Sequence, residues 1–303
     1  MERYDPARME RSTRDLVARA SFLEVTEGRG TPNGGVWIDV SHLGAEVVER
    51  NFRGMVRRCR DFGRDLARGP VEVGPTTHFM MGGVVVDTAC RTAIEGLFAA
   101  GEDTGGVHGA NRLGGNGVAE STVFGGIAGD VMADFVAGRS TSRHGDVAVG
   151  AVIERLTAPL ERRGGDLYGL QRELREVMWE RAGLVRDGEG LKAAVAAAER
   201  IGGELGRVGV PGGPGFNLAW QDWLNLTSQA TVARLIATSA LARTESRGAH
   251  YRSDFPAPST APLYIVRVQS RAGEASVSME PVALTRATPA GAARVSSMVE
   301  IGD

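Results

Sequence analysis

Residues 96–129 read GLFAAGEDTGGVHGANRLGGNGVAESTVFGGIAG and bring Glu102, His108, Asn111 and Arg112 into one glycine-rich run. Arg112 carries a planar fork that can grip a carboxylate through two parallel hydrogen bonds, which a lysine cannot reproduce. Two further candidates lie upstream: Arg14 in STRDLVAR, and His78 in THFMMGG. Taken singly, each has a plain structural reading. A helical arginine is most often solvated, a histidine among apolar neighbours is most often hydrogen-bonded core, and Glu102 can be a turn carboxylate. The surrounding glycines favour more, because they let backbone pass close to a ligand. The pattern suits a planar cofactor lying against backbone, with an arginine nearby to hold an anion.

The elements around these residues must position them. Residues 97–100 predict a short buried strand that runs into a glycine turn ending on Glu102. From Gly117 the small residues Ala119, Gly125, Gly126, Ala128 and Gly129 mix with Val118, Val123, Phe124 and Ile127. This predicts a helix that something approaches closely, with Asn116 as N-cap and a positive dipole end at its start. A helix within residues 1–25, capped by Ser12 or Thr13, carries Arg14 in its first turn. A turn at 32–35, a strand at 36–40, helices at 45–52 and 54–62, and a strand beginning at 84–87 follow. Met80 and Met81 read as packing, and His42 as a surface histidine.

A polar stretch at 138–144 marks a boundary. Helical periodicity then recurs near 148–163, 167–182 and 188–202, with Leu170, Leu174 and Met178 on one face. After a glycine- and proline-rich linker at 208–215, a long helix is expected over 217–247. Trp220, Trp223, Leu224, Val232, Leu235 and Ile236 form its packing side, and it stops at Gly248. A strand at 264–268 precedes the tail.

The 303 residues carry a formal net charge of −2, with 42% hydrophobic and 24% charged side chains. That is ordinary for a globular protein, and no basic excess points to nucleic acid. Cys59 and Cys90 sit in no metal or redox spacing, so no metal site is expected and a reducing compartment fits. The charged start does not read as a signal peptide, and no apolar run has the length of a membrane span.

HGANRLGGN followed by AESTVFGG, a GE after an apolar segment before them, and THFMMGG upstream together resemble the flavoprotein subunit of succinate dehydrogenase and fumarate reductase. The RTESRGAH block at 243–250 and the closing VSMEP at 277–281 extend the likeness. The resemblance covers the later half of such a subunit, because MERY at the start corresponds to a segment that relatives place inside their capping domain. No G-x-G-x-x-G follows a strand, so the adenine-dinucleotide fingerprint is absent. The expectation is a truncated or split subunit that binds FAD poorly alone.

The resemblance implies an α+β fold: an α/β flavin-domain portion, a capping-domain remnant and a C-terminal helical domain. The divisions are 1–72 (capping), 73–139 (FAD-binding, with the substrate loop), 140–258 (helical) and 259–303 (a small β segment). It implies an FAD-dependent oxidoreductase interconverting succinate and fumarate, with hydride passing to or from flavin N5. Arg14 would be the proton donor and acceptor, and His78 and Arg112 would hold the two carboxylates. Gly101, Glu102, Asn116, Gly117 and Val118 would line the flavin, with His108 and Asn111 supporting the loop. RTESRGAH is read as a salt-bridge cluster in a structural role. Implied partners are an iron–sulphur subunit, membrane anchor subunits and the missing N-terminal half, with the chain cytoplasmic and peripheral on the inner face of the cell membrane. Two other readings stand beside this one, an L-aspartate oxidase and a non-catalytic interaction module.

Overall fold

A computed structural model describes residues 1–139, 146–259, 263–271 and 274–284. The chain divides into two compact units, Met1–His144 with Arg247–Tyr251, and Gly145–Ser246 with Arg252–Asp303. The fold is α+β, dominated by helices with two small antiparallel sheets.

In the first unit, α1 (Arg14–Thr26) is followed by β1 (Val36–Ile38), α2 (Ala45–Asn51), α3 (Arg53–Asp61), β2 (Val71–Val73) and α4 (Asn116–Val136). β1 and β2 pair antiparallel with Val36 opposite Val73. Val48, Val56, Leu66, Ala67 and Val71 form the small core under this sheet. Glu72 accepts hydrogen bonds from Thr31 and Asn33 and so ties the turn at 31–35 to β2.

Several expected features take a different form. Residues 97–100 and 84–87 do not form strands: Phe98 makes one isolated antiparallel bridge to Arg91, and Val84 one parallel bridge to Thr104. A ladder needs a continuous neighbour, and the described residues supply only single bridges here. Leu97, expected to be buried, is exposed. α4 begins at Asn116 itself, so its N-cap is Gly115, at φ +83°, without a side-chain cap. That left-handed backbone is where glycine is favoured. At α1 the N-cap is Thr13, again without a side-chain cap bond, while the Ser12 hydroxyl donates to Asp5.

The second unit holds α5 (Asp146–Glu161), α6 (Leu167–Ala182), α7 (Gly188–Leu205), α8 (Leu218–Ala242) and the hairpin β3 (Tyr264–Arg271)–β4 (Glu274–Pro281), with Tyr264 opposite Pro281. Asp166, Asp187 and Asn217 cap α6, α7 and α8 through their side chains. The buried seam of α8 runs Trp223, Leu226, Ala230, Ala233, Ala237 and Ala240. It is narrower than the expected packing side, and Val232 lies outside it at 41% exposure. Small side chains at this spacing let α8 lie close to Leu191, Ala194, Ala198, Ile201 and Leu205 of α7.

α8 stops at Ala242, short of Gly248. The reason is Arg252, 2% exposed, whose Nη1 donates to the carbonyls of Ala240, Leu241 and Arg243. An arginine thus satisfies the orphan carbonyls that a glycine C-cap motif serves elsewhere. Its other nitrogens grip both oxygens of Asp254 at 2.7 Å. The expected linker at 208–215 begins inside the core, with Val208 and Val210 buried and Val210 N–H bonded to the Pro159 carbonyl.

Candidate functional site

All the site residues expected from the sequence lie in the first unit. Three segments converge there: 78–81, 101–104 and the turn that leads into α4. Glu102 Oε1 accepts the Met80 N–H at 2.9 Å, and the Arg112 N–H points at Met81 Sδ at 3.0 Å. A Cβ on Gly101, which has φ +86°, would come 3.1 Å from Ser121 Oγ, so the 101–102 corner lies directly against α4.

Arg112 lies over Phe79, its guanidinium carbon 4.3 Å from the ring centroid. Its Nη1 donates to the Leu113 carbonyl at 3.3 Å. Its Nε is the one buried side-chain nitrogen or oxygen among the described residues without a hydrogen-bond partner. An unsatisfied buried donor is costly, about 1–3 kcal/mol, and groups like it are rare in folded proteins. A carboxylate reaching that edge of the fork would remove the cost.

Arg14 is the first residue of α1, and its Nη2 lies 3.1 Å from where a Cβ on Gly114 would be. Arg14 and Arg112 therefore border the same turn at 113–117. A cation at a helix N-terminus opposes the helix dipole, so this position is unfavourable for stability. Asp15 beside it accepts a hydrogen bond from Asn111 Nδ2 at 2.8 Å, which ties α1 to the glycine-rich loop. Residues 247–251 brace the same assembly: Ala249 N–H donates to the Ala110 carbonyl, and Arg19 sits 4.2 Å over the Tyr251 ring.

His78 is exposed and adjoins Phe79, but no bond links it to Arg112. Asn116, Gly117 and Val118 form the first turn of α4, where Gly117 has no side chain to obstruct Phe79 and Arg112. Val118 is 76% exposed. Sequence reasoning missed the platform role of Phe79, the link made by Asp15, and the burial of Glu120. No local spacing signals any of these three, since each acts across a long stretch of chain. Among the described residues, no group of histidine, cysteine or carboxylate side chains could hold a metal ion.

Residues 2–118 match the family model described as FAD binding domain, and residues 171–295 match that described as fumarate reductase flavoprotein C-term. The chain is 45% identical over 258 residues to one component of the fumarate reductase (CoM/CoB) of Methanothermobacter marburgensis, covering 84% of this chain and 46% of that one. It is 35% identical to an L-aspartate oxidase of Rhodospirillum rubrum over 264 residues, covering 86% of this chain and 83% of that relative. The chain belongs to the succinate dehydrogenase and fumarate reductase flavoprotein family. A solved quinol–fumarate reductase with menaquinol molecules superposes with a TM-score of 0.84 at 30% identity, over 93% of this chain and 51% of that one. The chain thus spans about half the length of the first curated relatives it matches.

FAD is the cofactor of this family, and the residues present fit one part of it. The start of α4 offers a positive dipole end, which suits the edge of a ring system that gains negative charge, while Phe79 takes the space beside Gly117. The exposed Glu102 carboxylate keeps Oε2 available for a hydroxyl while Oε1 is engaged by Met80.

Proposed function

We propose that this chain carries the acid–base group and half of the carboxylate clamp of an FAD-dependent oxidoreductase that interconverts succinate and fumarate. The unpartnered, buried Nε of Arg112 over Phe79, with Arg14 bordering the same turn, is the observation that carries this reading. The cofactor supplies hydride acceptance and donation when bound. Everything else is the work of this chain's side chains.

Arg112 binds one substrate carboxylate through Nε and Nη2, because Nη1 is held by Leu113. His78 takes the other carboxylate. Arg14 delivers a proton to, or withdraws it from, the carbon that does not exchange hydride. Two guanidinium groups beside one small dianion also stabilise the charge that develops on its carboxylate-bearing carbon. Holding the substrate at both ends is the positioning contribution. Glu102, Gly101 and the first turn of α4 (Asn116, Gly117, Val118) line the cofactor.

The remaining assignments belong to the same proposal. The division into capping, FAD-binding, helical and small β parts is one of them. So are an iron–sulphur subunit, anchor subunits and the rest of the flavoprotein as partners, and a location on the inner face of the cell membrane. Among the described residues no helix is long and apolar enough to cross a membrane, so contact with a membrane through partners is consistent with the chain.

The test is a visible absorption spectrum of the purified chain titrated with FAD, then with fumarate. A bound-flavin spectrum perturbed by fumarate in the wild type and not in Arg112→Gln supports the reading. A flavin-loaded chain equally perturbed in both removes Arg112 from the substrate site. The L-aspartate oxidase reading has its own support in the Rhodospirillum rubrum relative, which this chain covers more fully than the other relatives named here. Oxidation of L-aspartate in preference to succinate, in a screen of both with the reconstituted protein, would favour it. Copurification with an iron–sulphur protein and without flavin would favour an interaction module.

A further inference from the structure

On the far side of Phe79 from Arg112 lies a buried histidine–carboxylate hydrogen bond to which the proposed reaction assigns no step. His108 Nε2 and Glu120 Oε2 are 2.7 Å apart, with the side chains 7% and 2% exposed. Glu120 projects from the second turn of α4, and its other oxygen lies 3.4 Å from Thr104 Oγ1. Thr104 in turn bonds the Gly101 carbonyl at 2.8 Å and bridges to Val84. Burying a carboxylate is expensive unless it is paired and hydrogen-bonded. His108 supplies that partner, while the Thr104 hydroxyl proton goes to the Gly101 carbonyl; an apolar pair of like volume would carry no such cost, so stability alone gives no reason for the pair.

Geometry supplies one. The His108 ring meets Phe79 edge to face, with centroids 5.2 Å apart and planes at 75°. Phe79 also carries the Arg112 guanidinium, 4.3 Å from the ring centroid. The ring edge also abuts Gly117, where a Cβ would lie 2.9 Å from Phe79 Cε2. Phe79 is therefore wedged between the start of α4, His108 and Arg112.

We propose that His108 and Glu120 are positioning residues: the pair locks Phe79 against α4 and so presets the plane of the Arg112 fork before an anion arrives. A histidine held at one nitrogen cannot rotate freely, and its edge then holds a fixed orientation toward the phenyl ring. A support that orients a binding group through a second residue raises affinity by removing the cost of ordering it on binding. This proposal rests on the reading of Arg112 as a carboxylate-binding group.

The test uses the whole chain labelled with 15N-arginine. The Arg112 Nε–H resonance is the one lost in Arg112→Lys, and fumarate affinity is measured by calorimetry on the same samples. Glu120→Gln keeps the shape and replaces the carboxyl group with an amide. His108→Gln and Phe79→Leu interrupt the relay at its other two members and serve if Glu120→Gln does not fold.

Each of the three is expected to broaden the Arg112 Nε–H line and speed its solvent exchange. Each should weaken fumarate binding about tenfold, while the Arg29 Nε–H line, remote from the relay and held by Glu24, stays in place. An Arg112 line unchanged in a folded Glu120→Gln or His108→Gln protein overturns the positioning role. Fumarate affinity unchanged in Arg112→Lys overturns the carboxylate reading instead. The Nε–H line reports on positioning whether or not fumarate binds, so the two failures are told apart.

Discussion

At the scale of single residues, the site is built from groups placed where stability would not put them. Arg14 opens a helix whose dipole opposes its charge, and Arg112 keeps a buried donor unpaired. Arg112→Met should therefore leave the protein as stable or slightly more stable in a thermal melt, by up to about 1 kcal/mol, while fumarate binding is lost. A drop of several degrees in Tm would show that the guanidinium is structural. Arg14→Gln is expected to preserve dicarboxylate affinity within about threefold and to abolish turnover of the reconstituted enzyme, since it removes the proposed proton donor and leaves the proposed clamp.

Glu102, His108, Asn111 and Arg112 stood out in the sequence because they punctuate a glycine-rich run. Phe79, Asp15 and the burial of Glu120 did not, because each depends on a partner far along the chain. Glu120 pairs with His108, Asp15 with Asn111, and Phe79 with Arg112.

At the scale of elements, the strongest constraint in the second unit is the end of α8. Arg252 serves three carbonyls there and pairs with Asp254, whose carboxyl is held down at about 2 by the hydrogen bonds from Arg252. Burial, with the like charge of Arg252 second, pulls Arg186 down to about 10. A carboxylate depressed in the folded state contributes stability above its unfolded pKa, which is lost as pH falls through the folded value. Acid unfolding should thus gain a component between about pH 4 and pH 2 that disappears in Asp254→Asn, read by circular dichroism. The carboxylate is partly exposed, so the component is small and shrinks in high salt.

Arg252→Met leaves the α8 carbonyls without their guanidinium donor and Asp254 with the Gly188 N–H alone. It is expected to cost about 1–3 kcal/mol in denaturant unfolding, from the carbonyls left unsatisfied, whereas Leu226→Ala in the α8 seam should cost about 2–5 kcal/mol by leaving a cavity. The Asp166, Asp187 and Asn217 caps emerged only in the structure, though the helices themselves were readable from periodicity. The stop at Ala242 was not, since the group that makes it comes from further along the chain, at Arg252.

At the scale of the whole molecule, the helices differ in how much of themselves they bury. α8 buries six side chains along its seam, while the 21-residue α4 buries only Glu120 and Ala128 and leaves Val118, Val123 and Val136 more than half exposed. Amide exchange should accordingly be faster along α4 than along α8, and binding of FAD should slow it most in the first turns of α4. Equal protection of the two helices in the cofactor-free chain would contradict this. The sequence by itself determined the lineage, the α+β class and most of the helical positions, and it singled out Arg14 and Arg112 as candidates, because these rest on local spacing and on long contiguous motifs. Only the tertiary structure decided that 84–87 and 97–100 remain single bridges, that alanines form much of the α8 seam, and that a phenyl ring lies between a buried His–Glu pair and Arg112. Those outcomes turn on which distant groups meet, and nothing in residue order alone carries the energy of a contact between them.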